Sequence, residues 1–452
     1  MDLTLPYGRG SDWSTPYARI LSLGRHLRKA HLCAARRFSF SEARNAATLF
    51  KVELTFQSAG LLLLVASVVA MLTRRLHLPY GTGLVAAGMA LALLPFSPTV
   101  HLTKELLFTA LLPPLVFEAA FHLNWVELRR NLPVILVLAS LGVALSASVT
   151  AVGMHWLAHW DWLSCAVFGI LIAATDPVSV IATFRESGAR GRLLLLVEAE
   201  SLFNDGTAAV GFAAAITFAV GHIPTPLESA ATLAAIVAGG LMCGAVVAAV
   251  ALLLAGRTKD HLVEITVTTV AAYGSFLFAE RLHLSGVLAT LTAGLVMANY
   301  RSLGEISARG REAVEAFWEY AAFVANSFVF LLIGIETAKV NLAGVWAPAA
   351  AALLLVTLGR AAAIYPCCLL FRRSGLRVTA RHQHVLFWGG LRGALALALA
   401  LGLPPEVPMR GHILTISFAV VAFSVFVQGL TMMPLLRRVG EIPQPSVEPA
   451  NR

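Results

Sequence analysis

Apolar runs long enough to cross a lipid bilayer recur along most of this 452-residue chain. A transmembrane helix needs about 20 apolar residues, and thirteen runs of about that length can be found. Charged residues make up only 13% of the chain and hydrophobic residues 58%, whereas an ordinary soluble protein is about 25% charged. So few charges cannot cover a core this apolar, and the sequence predicts an all-α polytopic membrane protein. The predicted spans are 56–72, 80–95, 102–121, 133–152, 163–184, 193–220, 228–255, 262–280, 286–300, 317–338, 343–371, 383–401 and 411–436.

Lysine and arginine residues are concentrated in alternate loops between these spans. The loops after odd-numbered spans, together with the C-terminal tail, contain nineteen of them, whereas the loops after even-numbered spans contain four. Cytoplasmic loops of membrane proteins carry the excess of basic residues. The pattern therefore predicts a protein of the cell membrane whose C-terminus is cytoplasmic and whose first span starts outside.

The first fifty residues do not fit this orientation. They contain eight basic and three acidic residues and no apolar signal-peptide core, so they are expected to resist export. Three interpretations stay open: an amphipathic surface segment, a disordered tail, or a leading sequence outside the working protein, with the natural start near Val52. We expect a basic extension over residues 1–55, a transmembrane domain over 56–438 and a short cytoplasmic tail over 439–452.

Seven charged residues lie well inside the predicted spans, where each costs about 2.5–3.5 kcal/mol on insertion scales and therefore needs a reason. Five of them are acidic and two are basic, which gives the interior an excess of negative charge and favours a cation pathway. These residues are Glu118, Asp176, Glu198, Glu200, Asp205, Arg360 and Arg392.

The fifth span contains an aspartate next to a proline near its middle. Pro177 lacks an N–H, so the carbonyl of Ala173 loses its helical donor directly before Asp176. An interrupted helix at mid-membrane frees carbonyls and helix ends that can hold an ion. The alternative is a plain proline kink beside a hydrogen-bonded Asp176.

The sixth span contains a carboxylate, an amide and a hydroxyl within five residues. Ser201 and Asp205 are four residues apart and share a helix face with Glu198, while Asn204 points about 100° away. Oxygen atoms of these kinds replace the water shell of a small, hard cation. The spacing therefore predicts a cation site, and a polar cluster that only locks helices together is the alternative.

The two buried arginines need acidic partners, because an unpaired buried charge is strongly destabilising. Glu200 points away from Asp205, and we expect it to pair with Arg392 on the twelfth span. For Arg360 on the eleventh span, the sequence leaves Glu118 and Glu336 as candidate partners.

Five segments of the chain, in the expected order, resemble the NhaP/NHE branch of the monovalent cation/proton antiporters. They are LLPPLVFEAAF (111–121), ATDPVSV (174–180), EAESLFNDGTAAV (198–210), FLLIGIE (330–336) and GGLRGALALAL (389–399). The resemblance implies an antiporter fold of about 13 helices, built from two inverted six-helix repeats and usually dimeric.

The same resemblance implies roles for individual residues. Asp205 would carry the exchanged proton or cation with help from Asn204, and Glu200 with Arg392 would be the structural ion pair. Further contributors to the cation and proton site would be Ser201, Asp176, Thr175 and Glu118, with Na⁺ held at Asp205, Ser201, Asp176 and Glu118.

The expected function is secondary active exchange of Na⁺, and also Li⁺, for H⁺, in the service of cation and pH homeostasis. The Asn204–Asp205 pair, where electrogenic relatives have two aspartates, implies electroneutral one-for-one exchange. A K⁺/H⁺ antiporter and a cation channel are the alternatives. An enzyme is not expected, because neither HExxH nor GxxxxGK[ST] occurs. We expect membrane lipid and a second copy of the chain as partners, no nucleic acid and no cofactor beyond the transported ions.

Overall fold

The computed structural model describes residues 58–76, 78–94, 102–176, 180–181, 184, 191–219, 226–299, 306–341 and 343–441. By its internal contacts the chain divides into two units, Met1–Gly60 and Leu61–Arg452. Of the first unit only residues 58–60 are described, so the predicted basic extension over 1–55 lies outside the described residues. Pro177 and most of the predicted tail over 439–452 also lie outside them, and the predicted domain boundaries stay predictions.

The part of the chain that the structure describes is helical and contains no strand. Seven of its helices are long and apolar enough to cross a membrane, and the count of thirteen spans stays a prediction. The helices are α1 Ser58–Leu76, α2 Tyr80–Ala92, α3 Leu106–His122, α4 Trp125–Ala158, α5 Trp162–Leu171, α6 Arg192–Ala219, α7 Pro226–Ala255, α8 His261–Arg281, α9 Gly286–Asn299, α10 Ala308–Ala338, α11 Trp346–Leu370, α12 Ala380–Trp388, α13 Ala394–Leu401 and α14 Arg410–Val439.

Large hydrophobic side chains point outward from many of these helices. Leu93 is 84% exposed, Val126 is 77% exposed and Trp346 is 71% exposed. Large apolar side chains exposed in such number are unfavourable in water, whereas lipid tails solvate them without cost. The outer surface therefore agrees with the membrane environment that the composition predicts.

Small residues allow helices α2 and α10 to pack closely against each other. Gly88 on α2 lies against the backbone of Leu331, and Gly334 on α10 lies against the backbone carbonyl of Val85. A Cβ atom at either glycine would overlap the facing backbone. Close approach of this kind is how helices associate where lipid supplies no hydrophobic driving force.

An aromatic contact joins α3 to α10 and α8. Trp318 on α10 is 1% exposed, and its ring lies 4.5 Å from that of Phe117 on α3, centroid to centroid. Its indole Nε1–H donates a hydrogen bond of 3.0 Å to Oγ1 of Thr268 on α8. This packing sets the next residues along, Glu118 and Glu319, beside one shared space.

Two helices are interrupted inside the bundle. Helix α5 ends at Leu171 and residues 174–176 are not helical, in agreement with the interruption predicted from the aspartate-proline sequence. The twelfth span, predicted as one helix over 383–401, is instead divided into α12 and α13 by non-helical residues 390–393. Glycine has low helix propensity, which explains why the helix is interrupted at a segment that contains Gly389, Gly390 and Gly393.

Candidate cation site

The two interrupted segments cross and are tied to each other by hydrogen bonds. The backbone N–H of Asp176 donates to the carbonyl of Leu391 over 2.7 Å. The guanidinium Nη1 of Arg392, a residue only 2% exposed, donates to the carbonyl of Ala173 over 2.7 Å and to that of Ala174 over 3.1 Å. These carbonyls follow the C-terminus of α5, where the helix dipole is negative and a cation is stabilising.

At this crossing, the positive charge of Arg392 lies at the C-terminus of α5 and the negative charge of Asp176 lies at the N-terminus of α13. Asp176 lies against Gly393, which directly precedes α13, and a Cβ atom on Gly393 would overlap the Asp176 carboxylate. The N-terminus of a helix carries positive partial charge and favours a carboxylate. Glycine at this position therefore lets Asp176 approach the end of α13.

Side chains of α6 join the same crossing. The Nδ2 group of Asn204 donates to Oγ1 of Thr175 over 3.1 Å and to the carbonyl of Ala173 over 3.3 Å. Oγ of Ser201 lies 3.0 Å from Oγ1 of Thr175. The Ala173 carbonyl, predicted to lose its helical donor, is therefore satisfied by side chains from two other segments.

A cavity of about 270 Å³ opens beside this cluster. Five of the six predicted binding residues line it, and the sixth, Asn204, is buried behind them. The five lining residues are Glu118, Thr175, Asp176, Ser201 and Asp205. The structure therefore brings the predicted set together around one space, and these residues belong to α3, α6 and the non-helical segment after α5.

Asp205 contributes its carboxylate to the wall of this cavity. Its Oδ1 atom is buried and accepts no hydrogen bond from the described residues. No three Asp, Glu, His or Cys side chains among those residues are close enough to share a metal ion. A cation at Asp205 would therefore take its other ligands from oxygens such as the hydroxyls of Ser201 and Thr175, and from water.

The predicted ion pair between Glu200 and Arg392 is wrong in its partner. Both carboxylate oxygens of Glu200 accept from Arg360, with distances of 2.7 Å to Nη1 and 2.9 Å to Nη2. Nη2 of Arg360 also donates to the carbonyl of Leu386, over 2.9 Å. Glu200 thus joins α6 to α11, and Arg360 joins α11 to α12.

The physical reason for this difference is the broken twelfth span. Because residues 390–393 are not helical, Arg392 is aimed at the carbonyls after α5 and not along a helix face toward Glu200. The partners considered for Arg360 were also wrong. Oε1 of Glu118 lies 3.3 Å from His122, and Oε1 of Glu336 lies 3.2 Å from Lys339.

Three carboxylate or amide residues on the cavity wall were not among the predicted site residues: Glu198, Glu319 and Asn326. Glu198 shares the helix face of Ser201 and Asp205, which is a signal that the sequence did contain. Glu319 is two residues from the start of the predicted span 317–338. A charge at the end of a span is common, so the sequence did not indicate a role for it in the site. Asn326 is uncharged, and nothing in the local sequence marked it.

Two crossing interrupted helices, beside a carboxylate-lined cavity, define the class as a secondary transporter of cations. The transmembrane sodium/hydrogen exchanger family matches residues 61–438, and the chain belongs to that family. The predicted recognition is thereby confirmed, and the chain is a multi-pass membrane protein of the antiporter type.

Individual relatives agree with this assignment. The Na⁺/H⁺ antiporter ApNhaP of Aphanothece halophytica is 37% identical over 371 residues, which cover 81% of this chain and 70% of that protein. The low-affinity Na⁺/H⁺ antiporter NhaS1 of Synechocystis sp. is 37% identical over 380 residues, which cover 81% of this chain and 71% of that protein.

A solved structure confirms the predicted fold class. The sodium proton antiporter MjNhaP1 from Methanocaldococcus jannaschii superposes with a TM-score of 0.68 at 19% sequence identity. The match covers 86% of this chain and 99% of that one.

Proposed function

We propose that this protein exchanges Na⁺, and also Li⁺, for H⁺ one for one, and that this exchange serves cation and pH homeostasis. The observation that carries the proposal is the carboxylate of Asp205 on the cavity wall, with Oδ1 buried and accepting no hydrogen bond from the described chain. The names of the relatives, which are Na⁺/H⁺ antiporters, support Na⁺ as the cation.

Coupling follows from competition for one negative charge. A bare carboxylate in a low-dielectric site is costly, so Asp205 crosses between the two faces only when it carries a proton or a cation. Ser201 and Thr175 supply neutral oxygen ligands that replace part of the water shell of Na⁺. A gradient of either ion then drives the other.

The moving part comprises α6 with the crossing segments of α5, α12 and α13. Hydrogen bonds from Arg392 and Asn204 to Ala173 tie these elements together, so they shift as a unit against the rest of the bundle. Such rocking about a central site gives alternating access.

One-for-one stoichiometry rests on the pair formed by Asn204 and Asp205. The Asn204 amide carries no charge and is occupied with Thr175 and Ala173, so Asp205 is the carboxylate of that pair that can titrate. Tracer Na⁺ uptake and proton release, counted in the same vesicles, are expected to give a ratio of one.

The remaining parts of the proposal concern setting and partners. The protein lies in the cell membrane with its C-terminus in the cytoplasm and the first span starting outside, in contact with lipid and with a second copy of the chain. Biotinylation of introduced surface cysteines in intact cells would test the orientation, and crosslinking in native membranes would test the dimer.

The central experiment is Asp205→Asn in proteoliposomes. Na⁺-dependent proton movement, followed as dequenching of a pH-sensitive dye, should fall to the level of empty vesicles while the melting temperature in detergent stays near that of the wild type. The matched control is Asp161→Asn, because Asp161 caps α5 outside the cavity and asparagine is an equally good cap. Full activity of Asp205→Asn would overturn the assignment, and ion conductance without proton movement in the wild type would indicate a channel.

A further inference from the structure

The non-helical segment 390–393 is held from two sides. On one side, the carbonyl of Leu391 accepts from the backbone N–H of Asp176 over 2.7 Å, and Asp176 lines the cavity of the candidate cation site. On the other side, the backbone N–H of Arg392 donates to Oγ of Ser424 on α14 over 2.9 Å. Two adjacent residues of this segment thus connect the cavity wall to α14.

A glutamine fixes the direction of the Ser424 hydroxyl group. That hydroxyl donates its proton to Oε1 of Gln428, four residues further along α14, over 2.7 Å. A serine hydroxyl has a single proton to donate, so the oxygen of Ser424 is left to accept from Arg392. Ser424 is 2% exposed and Gln428 is 8% exposed, and both side chains are therefore shielded from bulk water.

A second buried serine on the same helix has a different hydrogen bond. Ser417 is 0% exposed, and its hydroxyl donates to the carbonyl of Ile413, four residues earlier, over 2.7 Å. Such a bond to the preceding turn is the usual one for serine inside a helix. Ser417 and Ser424 thus share their helix and their burial, and they differ in what the hydroxyl holds in place.

Helix α14 is locally widened where it carries Ser424. The backbone N–H of Gly429 donates to the carbonyl of Ser424, five residues earlier, and single π-turns of this kind are frequent at functional sites. In the same turn, the carbonyl of Val425 accepts from Oγ1 of Thr82 on α2 over 2.9 Å. The turn behind the segment 390–393 is therefore anchored to a helix outside the crossing.

We propose that Ser424 and Gln428 are positioning residues that set the cation affinity of the site through the backbone of Arg392. Neither side chain lines the cavity of about 270 Å³, so both act without touching the ion. This inference rests on the proposed exchange of Na⁺ for protons.

The connection to the cavity runs through the neighbours of Arg392. Without the hydroxyl of Ser424, the N–H of Arg392 loses an acceptor in a buried place, which is costly, so the segment turns toward another acceptor. Leu391 and Gly393 flank Arg392, and both contact Asp176. A turn of the segment therefore displaces the Asp176 carboxylate on the cavity wall, and a cation that this carboxylate helps to hold is bound less tightly.

The experiment separates affinity from maximal rate in Na⁺-dependent proton movement of proteoliposomes. Ser424→Ala should raise the half-saturating Na⁺ concentration about tenfold, which is about 1.4 kcal/mol, and should leave the maximal rate near that of the wild type. Gln428→Met, which removes the acceptor and keeps a side chain of similar length, should raise the same concentration. Ser424→Thr keeps the hydroxyl and should retain the wild-type value, and Ser417→Ala is the matched control that should leave both quantities unchanged.

A hydrogen bond that only stabilised the fold would have a different signature. Its loss would lower the melting temperature in detergent and the amount of active protein, so the maximal rate would fall while the half-saturating Na⁺ concentration stayed constant. The double variant of Ser424→Ala with Gln428→Met adds a further test. Because Gln428 acts through the hydroxyl of Ser424, the double variant should bind Na⁺ no more weakly than Ser424→Ala alone.

Three results would overturn the proposal: a half-saturating concentration for Ser424→Ala equal to that of Ser417→Ala, additive losses in the double variant, or a Ser424→Thr protein as impaired as Ser424→Ala. Hydrogen–deuterium exchange of residues 390–393 gives a readout that does not depend on transport. Ser424→Ala should speed this exchange and Ser417→Ala should not, and equal exchange in the two would refute the hydrogen bond. A wild type without Na⁺-dependent proton movement would instead refute the proposed function, so the two failures are distinguishable.

Discussion

Removing one partner of the ion pair between Glu200 and Arg360 should destabilise the protein strongly. The pair is nearly inaccessible, with side-chain exposures of 1% for Glu200 and 6% for Arg360. In Arg360→Met the two charge-assisted hydrogen bonds of 2.7 and 2.9 Å are lost. Among the donors of the described residues, only that of Asn204, at 3.3 Å, would then remain to Glu200.

The expected size follows from the burial of the stranded charge. Breaking a buried pair from one side costs about 3–5 kcal/mol, because the remaining charge keeps its desolvation cost without its partner. The double variant Glu200→Gln with Arg360→Met removes both charges. It should therefore recover about 2 kcal/mol or more relative to the sum of the single changes.

A pair of double-mutant cycles can measure this coupling against that of the partner predicted from sequence. The free energy of unfolding would be obtained by titrating sodium dodecyl sulfate into mixed micelles, for the Glu200–Arg360 cycle and for a Glu200–Arg392 cycle. We expect the second coupling to be less than half of the first, because Arg392 donates to backbone carbonyls. A larger coupling for Arg392 than for Arg360 would refute the pairing.

Two further predictions concern glycines at close contacts. Gly393→Ala should abolish Na⁺-dependent proton movement, because the new methyl group overlaps the Asp176 carboxylate. Gly142→Ala is the control and should remain active, because its Cβ atom would meet nothing nearer than 3.6 Å. Equal activity of the two variants in proteoliposomes would contradict the crossing geometry. Gly334→Ala should lower the melting temperature in detergent, because the new methyl group forces α2 and α10 apart. Gly274→Ala is the control, since a Cβ atom there would have nothing within 4 Å. It should leave the melting temperature unchanged or raise it, because alanine is the better helix former by about 1 kcal/mol. A Gly334→Ala protein as stable as the wild type would show that the helices separate without cost.

The helical architecture, and most of the predicted residues that line the cavity, could be predicted from the sequence for a physical reason. In a membrane, apolar length largely dictates helices, and a charge inside an apolar run has to serve some purpose. Glu118, Asp176 and Asp205 were predicted on that basis, and the structure gathers them around one cavity. Their roles in binding a cation stay a prediction.

The choice of arginine partner could not be predicted, because it depends on how segments distant in sequence cross. Glu200 points away from Asp205 in either case, and both arginines lie in that direction. Whether Arg360 or Arg392 reaches Glu200 depends on the unwinding of residues 390–393, which spacing along a presumed helix does not reveal. The place of Glu319 on the cavity wall could not be predicted for a related reason, since only tertiary packing brings the end of its span to the cavity.

Membrane voltage acts on a buried ion across whatever low-dielectric material separates the two aqueous sides. A plain bilayer core is about 30 Å thick, whereas on α6 only one turn, roughly 6 Å, lies between Asp205 on the wall of the first cavity and Ala209, where the lining of a second cavity of about 380 Å³ begins. With water in both cavities, the potential falls across that turn, and the local field is about five times that of the plain bilayer. Each 100 mV then changes the energy of a monovalent ion by about 2.3 kcal/mol over a single turn. Individual binding steps would therefore feel the membrane potential even though a complete one-for-one cycle moves no net charge.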